Sequence, residues 1–108
     1  MEWDARRTRG SVIASPNGRV DETSWQAFHE GLSGGVAEAA QDGLALILEL
    51  ERIDYMSSRG LRVLTLVKRE AEAASITFSL ARPNERMREI LAISRYDRIF
   101  AVLPAIED

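Results

Sequence analysis

Two spacings of apolar residues run through this chain, one of strands and one of helices. Residues 2–7 alternate weakly and end at Thr8-Arg9-Gly10, a turn signal. Residues 11–15 carry Val12 and Ile13 and stop at Pro16-Asn17-Gly18, which predicts a second strand closed by a turn. Residues 44–50, LALILEL, are an apolar run of strand length, suited to burial on both faces. Residues 76–81, ITFSLA, alternate and stop before Arg82-Pro83. Residues 99–103, IFAVL, form another run of the buried type, closed by Pro104.

Helical spacing fills the gaps. Residues 22–40 place Trp25, Phe28, Leu32, Val36 and Ala40 three or four apart, the spacing of core contacts. Gly31, Gly34 and Gly35 weaken that helix by about 1 kcal/mol each relative to alanine, so a break is expected near Ser33. Residues 58–74 align Leu61, Leu64, Val67, Ala71 and Ala74 on one face, with most charges elsewhere. Residues 84–93 align Met87, Ile90 and Leu91, with Asn84 as N-cap. The order β-β-α-β-α-β-α-β predicts an α/β domain whose later strand–helix–strand units are right-handed parallel crossovers. Functional loops in such sheets sit at the carboxyl ends of strands, beside helix N-termini. The loop to inspect is therefore residues 51–60, directly after LALILEL.

Composition narrows the chemistry. A length of 108 residues predicts a single domain, residues 1–108, able to bury its own core. The absence of cysteine excludes a disulfide scaffold, a thiol nucleophile and a thiolate zinc site, and the single histidine, His29, argues against a multi-histidine metal centre. The net charge of −3 is of the wrong sign for a generic nucleic-acid binder. The arginines at 82, 86, 88, 95 and 98 interleave with Glu85, Glu89 and Asp97, as on a solvated face. No apolar run approaches the ~20 residues of a membrane span, and the first ten residues lack a signal-peptide core, so a cytoplasmic location without membrane insertion is expected. Gly31 to Gly35 do not make a phosphate loop, because no Lys-Ser/Thr follows. A Ser–His–acid triad would have to recruit His29 from a distant helix, so the chain reads as no enzyme.

The run IDYMSSRGLRVL, residues 53–64, resembles the signature of STAS domains, and more narrowly that of bacterial anti-sigma factor antagonists. Gly18-Arg19-Val20-Asp21 is similar to the motif that opens the family's first helix, and residues 84–102 resemble its C-terminal third. The resemblance implies a mixed sheet of about five strands with helices packed mainly on one face. It implies a regulatory module that captures a kinase-type anti-sigma factor and is switched off by serine phosphorylation. A serine phosphatase then resets the cycle. ATP and metal are supplied by the partner kinase, and the chain itself has no cofactor. The phospho-acceptor aligns with Ser58, with Ser57 as runner-up. The alternative within the same fold is a non-switching structural subunit of a stress-signalling or lipid-transport complex.

The residues carry plainer readings beside these. Ser57 and Ser58 begin a helix, where a serine is an N-cap and where an added phosphate is tolerated by the free N–H groups and the dipole. Asp21 reads as a helix cap or first-turn acid, and the resemblance sets it near the partner surface. Asp54 reads as a solvated loop acid, or as a carboxylate that positions the serine or a phosphatase metal. Arg59 stands where the family has a small residue, and is solvated, meets a partner carboxylate, or pairs with a phosphate on Ser58. Gly60 excludes a side chain from the first helical turn, for which the close approach of a partner backbone is one reason. With Arg62, these residues make the expected partner surface. His29 reads as a surface or satisfied histidine.

Overall fold

The computed structural model describes residues 1–106. Strand β1, Glu2–Arg7, pairs antiparallel with β2, Ser11–Val20, through the hairpin expected at Gly10. β2 does not stop at the Pro-Asn-Gly tripeptide. Its first half, Ser11 to Ala14, pairs parallel with β3, Ala45–Glu49. Its far half, Gly18 to Val20, pairs parallel with β4, Ile53–Met56. Pro16 pairs with Trp3 of β1 and falls between these two stretches, where β2 has no partner on its other side. Gly18, at φ 131°, already pairs with Ile53 of β4, and the register of that pairing shifts by one residue between Gly18 and Arg19. The expected turn is thus continuous strand, and the extra residue of the shift is Asp54 on β4.

β4 is a strand where the sequence predicted a loop. It has only four residues, one of them the exposed Asp54, so its alternation carries little signal. β5, Phe78–Ala81, pairs parallel with β3 and β6, Val102–Leu103, as the crossovers require. Among the described residues the sheet therefore has six strands and is mixed only at β1. Most of the run predicted as the last strand is not strand. Tyr96–Arg98 form a 3₁₀ turn, Ile99 closes it at the surface, and Phe100 turns inward against Phe78 and Tyr96.

Helix α1 runs unbroken over Trp25–Asp42. The break expected near Ser33 is absent because two glycines serve packing. A Cβ on Gly31 would lie 2.6 Å from Trp3 Cζ2, and one on Gly35 would lie 2.9 Å from Leu46 Cδ1. α2 spans Ser58–Ala73 and α3 spans Glu85–Ser94. All three helices place their buried residues in one cluster with one face of the sheet, including Phe28, Leu32, Leu64, Val67 and Leu91. The opposite face has a smaller cluster of Ile13, Ile47 and Ala81, packed among the described residues by Leu103 and Ile106 and by no helix. No helix among the described residues is long and apolar enough to cross a membrane.

Candidate functional site

β2 and β4 end side by side, with Val20 opposite Met56 and the Ser57 N–H donating to the Val20 carbonyl at 2.8 Å. This pairing sets the starts of α1 and α2 together at the carboxyl ends of two parallel strands. Loops there are free of the sheet's own packing and open to a ligand or partner.

The two serines divide the roles that the sequence left shared. Ser57 leaves β4 in an extended conformation and caps α2, its Oγ accepting from the Gly60 N–H at 3.3 Å. Ser58 is the first residue of the helix, is exposed, and its hydroxyl has no hydrogen-bond partner among the described residues. Its surroundings are the free N–H groups and the positive end of α2, which favour an anion.

Asp21 directly follows β2 and builds the approach to α1. Its Oδ1 accepts from the Thr23 hydroxyl at 2.8 Å and the Thr23 N–H at 2.9 Å. These bonds, with Ser24 adding to them, hold the carboxyl below the usual carboxylate range. Its backbone carbonyl accepts from Trp25 N–H at 3.0 Å. Ser24 gives α1 no side-chain cap; its Oγ donates instead to the Arg19 carbonyl at 2.6 Å. Asp21 therefore works first as a turn builder, one residue from the carbonyl that holds Ser57.

Arg59 crosses from α2 to α1. Its guanidinium lies 4.9 Å over the Trp25 ring, and its Nη2 is 3.6 Å from Glu22 Oε2. The carboxylate it meets here belongs to its own chain. Arg62 is exposed and has no ion-pair or hydrogen-bond partner among the described residues. Between the two arginines opens a cleft of about 320 Å³, lined by Trp25, Arg59, Arg62, Val63 and Leu66.

Gly60 requires a correction. It is buried, and a Cβ there would lie 2.6 Å from Met56 Cγ and 2.7 Å from Val20 Cγ1. The side chain is excluded by this chain's own core, not by an incoming backbone. Asp54 is exposed at a different place, in a polar depression of about 430 Å³ with Arg19, Asn84, Glu85 and Arg86. It does not line the cleft of Arg59 and Arg62.

Three members of this surface were not singled out as functional from the sequence. Trp25 sits at core spacing and does pack on the core, yet it is half-buried and presents its ring to Arg59. Glu22 looked like a helix start. Arg19 lies over Tyr55, 4.7 Å from the ring centre, because the two are register partners across β2 and β4. Spacing shows which side chains face the core, not which are only half covered by it. His29 is satisfied as expected, its Nε2 2.8 Å from Glu70 Oε2. No group of three or more His, Asp or Glu among the described residues is placed to hold a metal ion.

Comparison with known proteins bears on the family and the fold. The chain is 30% identical over 102 residues to BtrV of Bordetella bronchiseptica, a protein named as an anti-sigma factor antagonist, covering 94% of this chain and 85% of BtrV. An anti-sigma factor antagonist from Mycobacterium paratuberculosis superposes with a TM-score of 0.82 at 18% identity, covering 97% of this chain and 86% of that one. SpoIIAA of Bacillus in its phosphorylated form superposes with a TM-score of 0.63 at 22% identity, covering 98% and 93%. These two structures share the fold. The model of the STAS domain matches residues 2–108, and so the chain belongs to the STAS domain family.

Proposed function

We propose that this protein is an anti-sigma factor antagonist that works by partner switching. Unphosphorylated, it captures an anti-sigma factor that is also a serine kinase, and thereby frees the sigma factor. The kinase transfers the γ-phosphoryl group of ATP to the Ser58 hydroxyl, which loses its proton, and ADP leaves. A serine phosphatase hydrolyses the ester and resets the cycle. ATP and metal belong to the partner, so this chain contributes a hydroxyl and a surface and no catalysis of its own. The cycle runs in the cytoplasm.

The carrying observation is the division of labour at the start of α2. Ser57 is committed to the cap, while Ser58 is exposed and unbonded beside it. Phosphorylation adds about −1.5 to −2 charges there. The helix N-terminus accepts that charge, so the domain stays folded while its surface changes. Repulsion and desolvation at the interface then release the partner.

The test is phosphorylation by purified serine-kinase-type anti-sigma factors from the same genome, with ATP and magnesium. Mass spectrometry is expected to place one phosphate on Ser58 and none on the Ser58→Ala variant. Equal labelling of that variant would reject the acceptor, and absence of binding to any such kinase would reject the antagonist role in favour of a structural subunit.

A further inference from the structure

Ser58 and Arg62 are four residues apart in α2, so their side chains are neighbours on the helix surface. The order is the favourable one, with the anion-bearing position toward the N-terminus and the cation one turn later. Arg59 follows Ser58 directly. Both arginines rim the cleft floored by Trp25, Val63 and Leu66. That floor is apolar and the rim is cationic in a chain whose net charge is −3.

We propose that Arg59 and Arg62 are shared cations. With Ser58 unmodified they hold an acidic, apolar segment of the partner in the Trp25–Val63–Leu66 cleft, and a phosphate on Ser58 takes them in the partner's place. This rests on Ser58 being the switch position proposed above. It adds the chemistry of the partner's contact and the way in which phosphorylation dismisses it.

The occupant follows from charge complementarity. An aliphatic side chain fills the apolar floor, and a carboxylate beside it meets the guanidinium groups, as Glu22 already meets Arg59. That internal pair is loose, at 3.6 Å with Glu22 largely exposed, and the stacking on Trp25 is at the surface. Such contacts are weak and exchangeable. A phosphate carries more charge than a carboxylate and three acceptor oxygens. Held on the same helix, it competes without an association cost. Capture by phosphate draws Arg59 from Glu22 and Trp25, so the change reaches α1 as well as α2.

The test uses the full chain with phosphoserine installed at position 58 during synthesis, which needs no kinase. Phosphorus NMR then follows the second ionisation of the phosphate with pH. We expect it below the ordinary value of about 6. Arg62→Gln and Arg59→Gln should each move it back up, and the indole N–H signal of Trp25 should shift on phosphorylation in wild type but not in Arg59→Gln. An ionisation unchanged by both substitutions would overturn the capture. For the cleft, the probes are Ac-Glu-Leu-Leu-Glu-NH₂ and Ac-Lys-Leu-Leu-Lys-NH₂ at millimolar concentration. The acidic peptide should saturably shift Trp25 and Leu66 in the unmodified protein, and the basic one should not. Neither should shift them once Ser58 carries phosphate. Equal shifts with both peptides, or none, would overturn the proposed occupant. Phosphate capture without any kinase that labels Ser58 would instead reject the partner-switching reading and leave the local chemistry standing.

Discussion

Gly60 lies against Val20 so closely that a methyl group on it would sit 2.7 Å from Val20 Cγ1. This contact locks the first turn of α2 onto the end of β2, and so sets Ser58 on the surface next to Asp21 and the start of α1. Helix propensity alone says that Gly60→Ala should gain about 1 kcal/mol. The structure predicts the opposite sign. Val20 is rigid at χ1 and Met56 presses from the other side, so overpacking should cost about 1–3 kcal/mol net. Urea unfolding decides the sign. Gly34→Ala is the control, since its Cβ meets nothing within 4 Å, and it should stabilise by about 0.5–1 kcal/mol.

Ser57 and Ser58 should separate in a paired experiment. Ser57→Ala removes the α2 cap and should cost about 0.5–1 kcal/mol of stability, at the low end because the bond is long. Ser58→Ala removes an exposed hydroxyl without a partner and should leave the unfolding midpoint within about 0.5 kcal/mol of wild type. Under the proposed function, only the second should abolish phosphate incorporation.

Asn84 should matter more than an N-cap ordinarily does. Its Oδ1 accepts from the Met87 N–H at 2.9 Å, while its Nδ2 donates to the Ile53 carbonyl at 2.8 Å and the Glu51 carbonyl at 2.9 Å. One side chain thus starts α3 and pins the turn between β3 and β4. Asn84→Ala loses both and should cost about 2 kcal/mol. Asn84→Ser, which keeps a cap but not the reach, should recover only part of that in chemical denaturation.

Glu70 gives the fold a pH dependence of known sign. Burial raises its pKa, but hydrogen bonds from His29 at 2.8 Å and from Ser33 at 2.7 Å outweigh burial and hold the carboxyl below its ordinary value. The folded state therefore binds the proton less readily than the unfolded one. The stabilisation is complete above the unfolded value of about 4.3 and is lost as pH falls through the lower folded value. The unfolding midpoint of Glu70→Gln should accordingly fall less steeply than that of wild type over that acid range.

Much of the fold was legible because the strongest signals are local. LALILEL reads as a buried strand, the 58–74 spacing reads as a helix, and Asn84 reads as a cap, since each depends on residues within one or two turns. The errors share one cause. Pro16-Asn17-Gly18 looked like a turn, but β2 keeps going because β4 waits for its far half. The glycines of α1 looked like a break, but they are the spaces that Trp3 and Leu46 require. In both places a distant strand or side chain supplied energy that no local window contains.

The site divides in the same way. By itself the sequence determined the chemistry: an acidic chain without cysteine, a Ser-Ser pair opening an amphipathic helix, and arginines at 59 and 62. These are matters of residue type and short spacing. Only the tertiary structure decided which serine caps and which is exposed, that Arg59 leans on Trp25 and Glu22, and that Gly60 belongs to the core. The last two join residues from different elements, and the division of the serines depends on where β4 ends and α2 begins. All three rest on the parallel pairing of β2 with β4, which ends β4 at Met56, brings two helix N-termini together and is encoded by no periodicity along the chain.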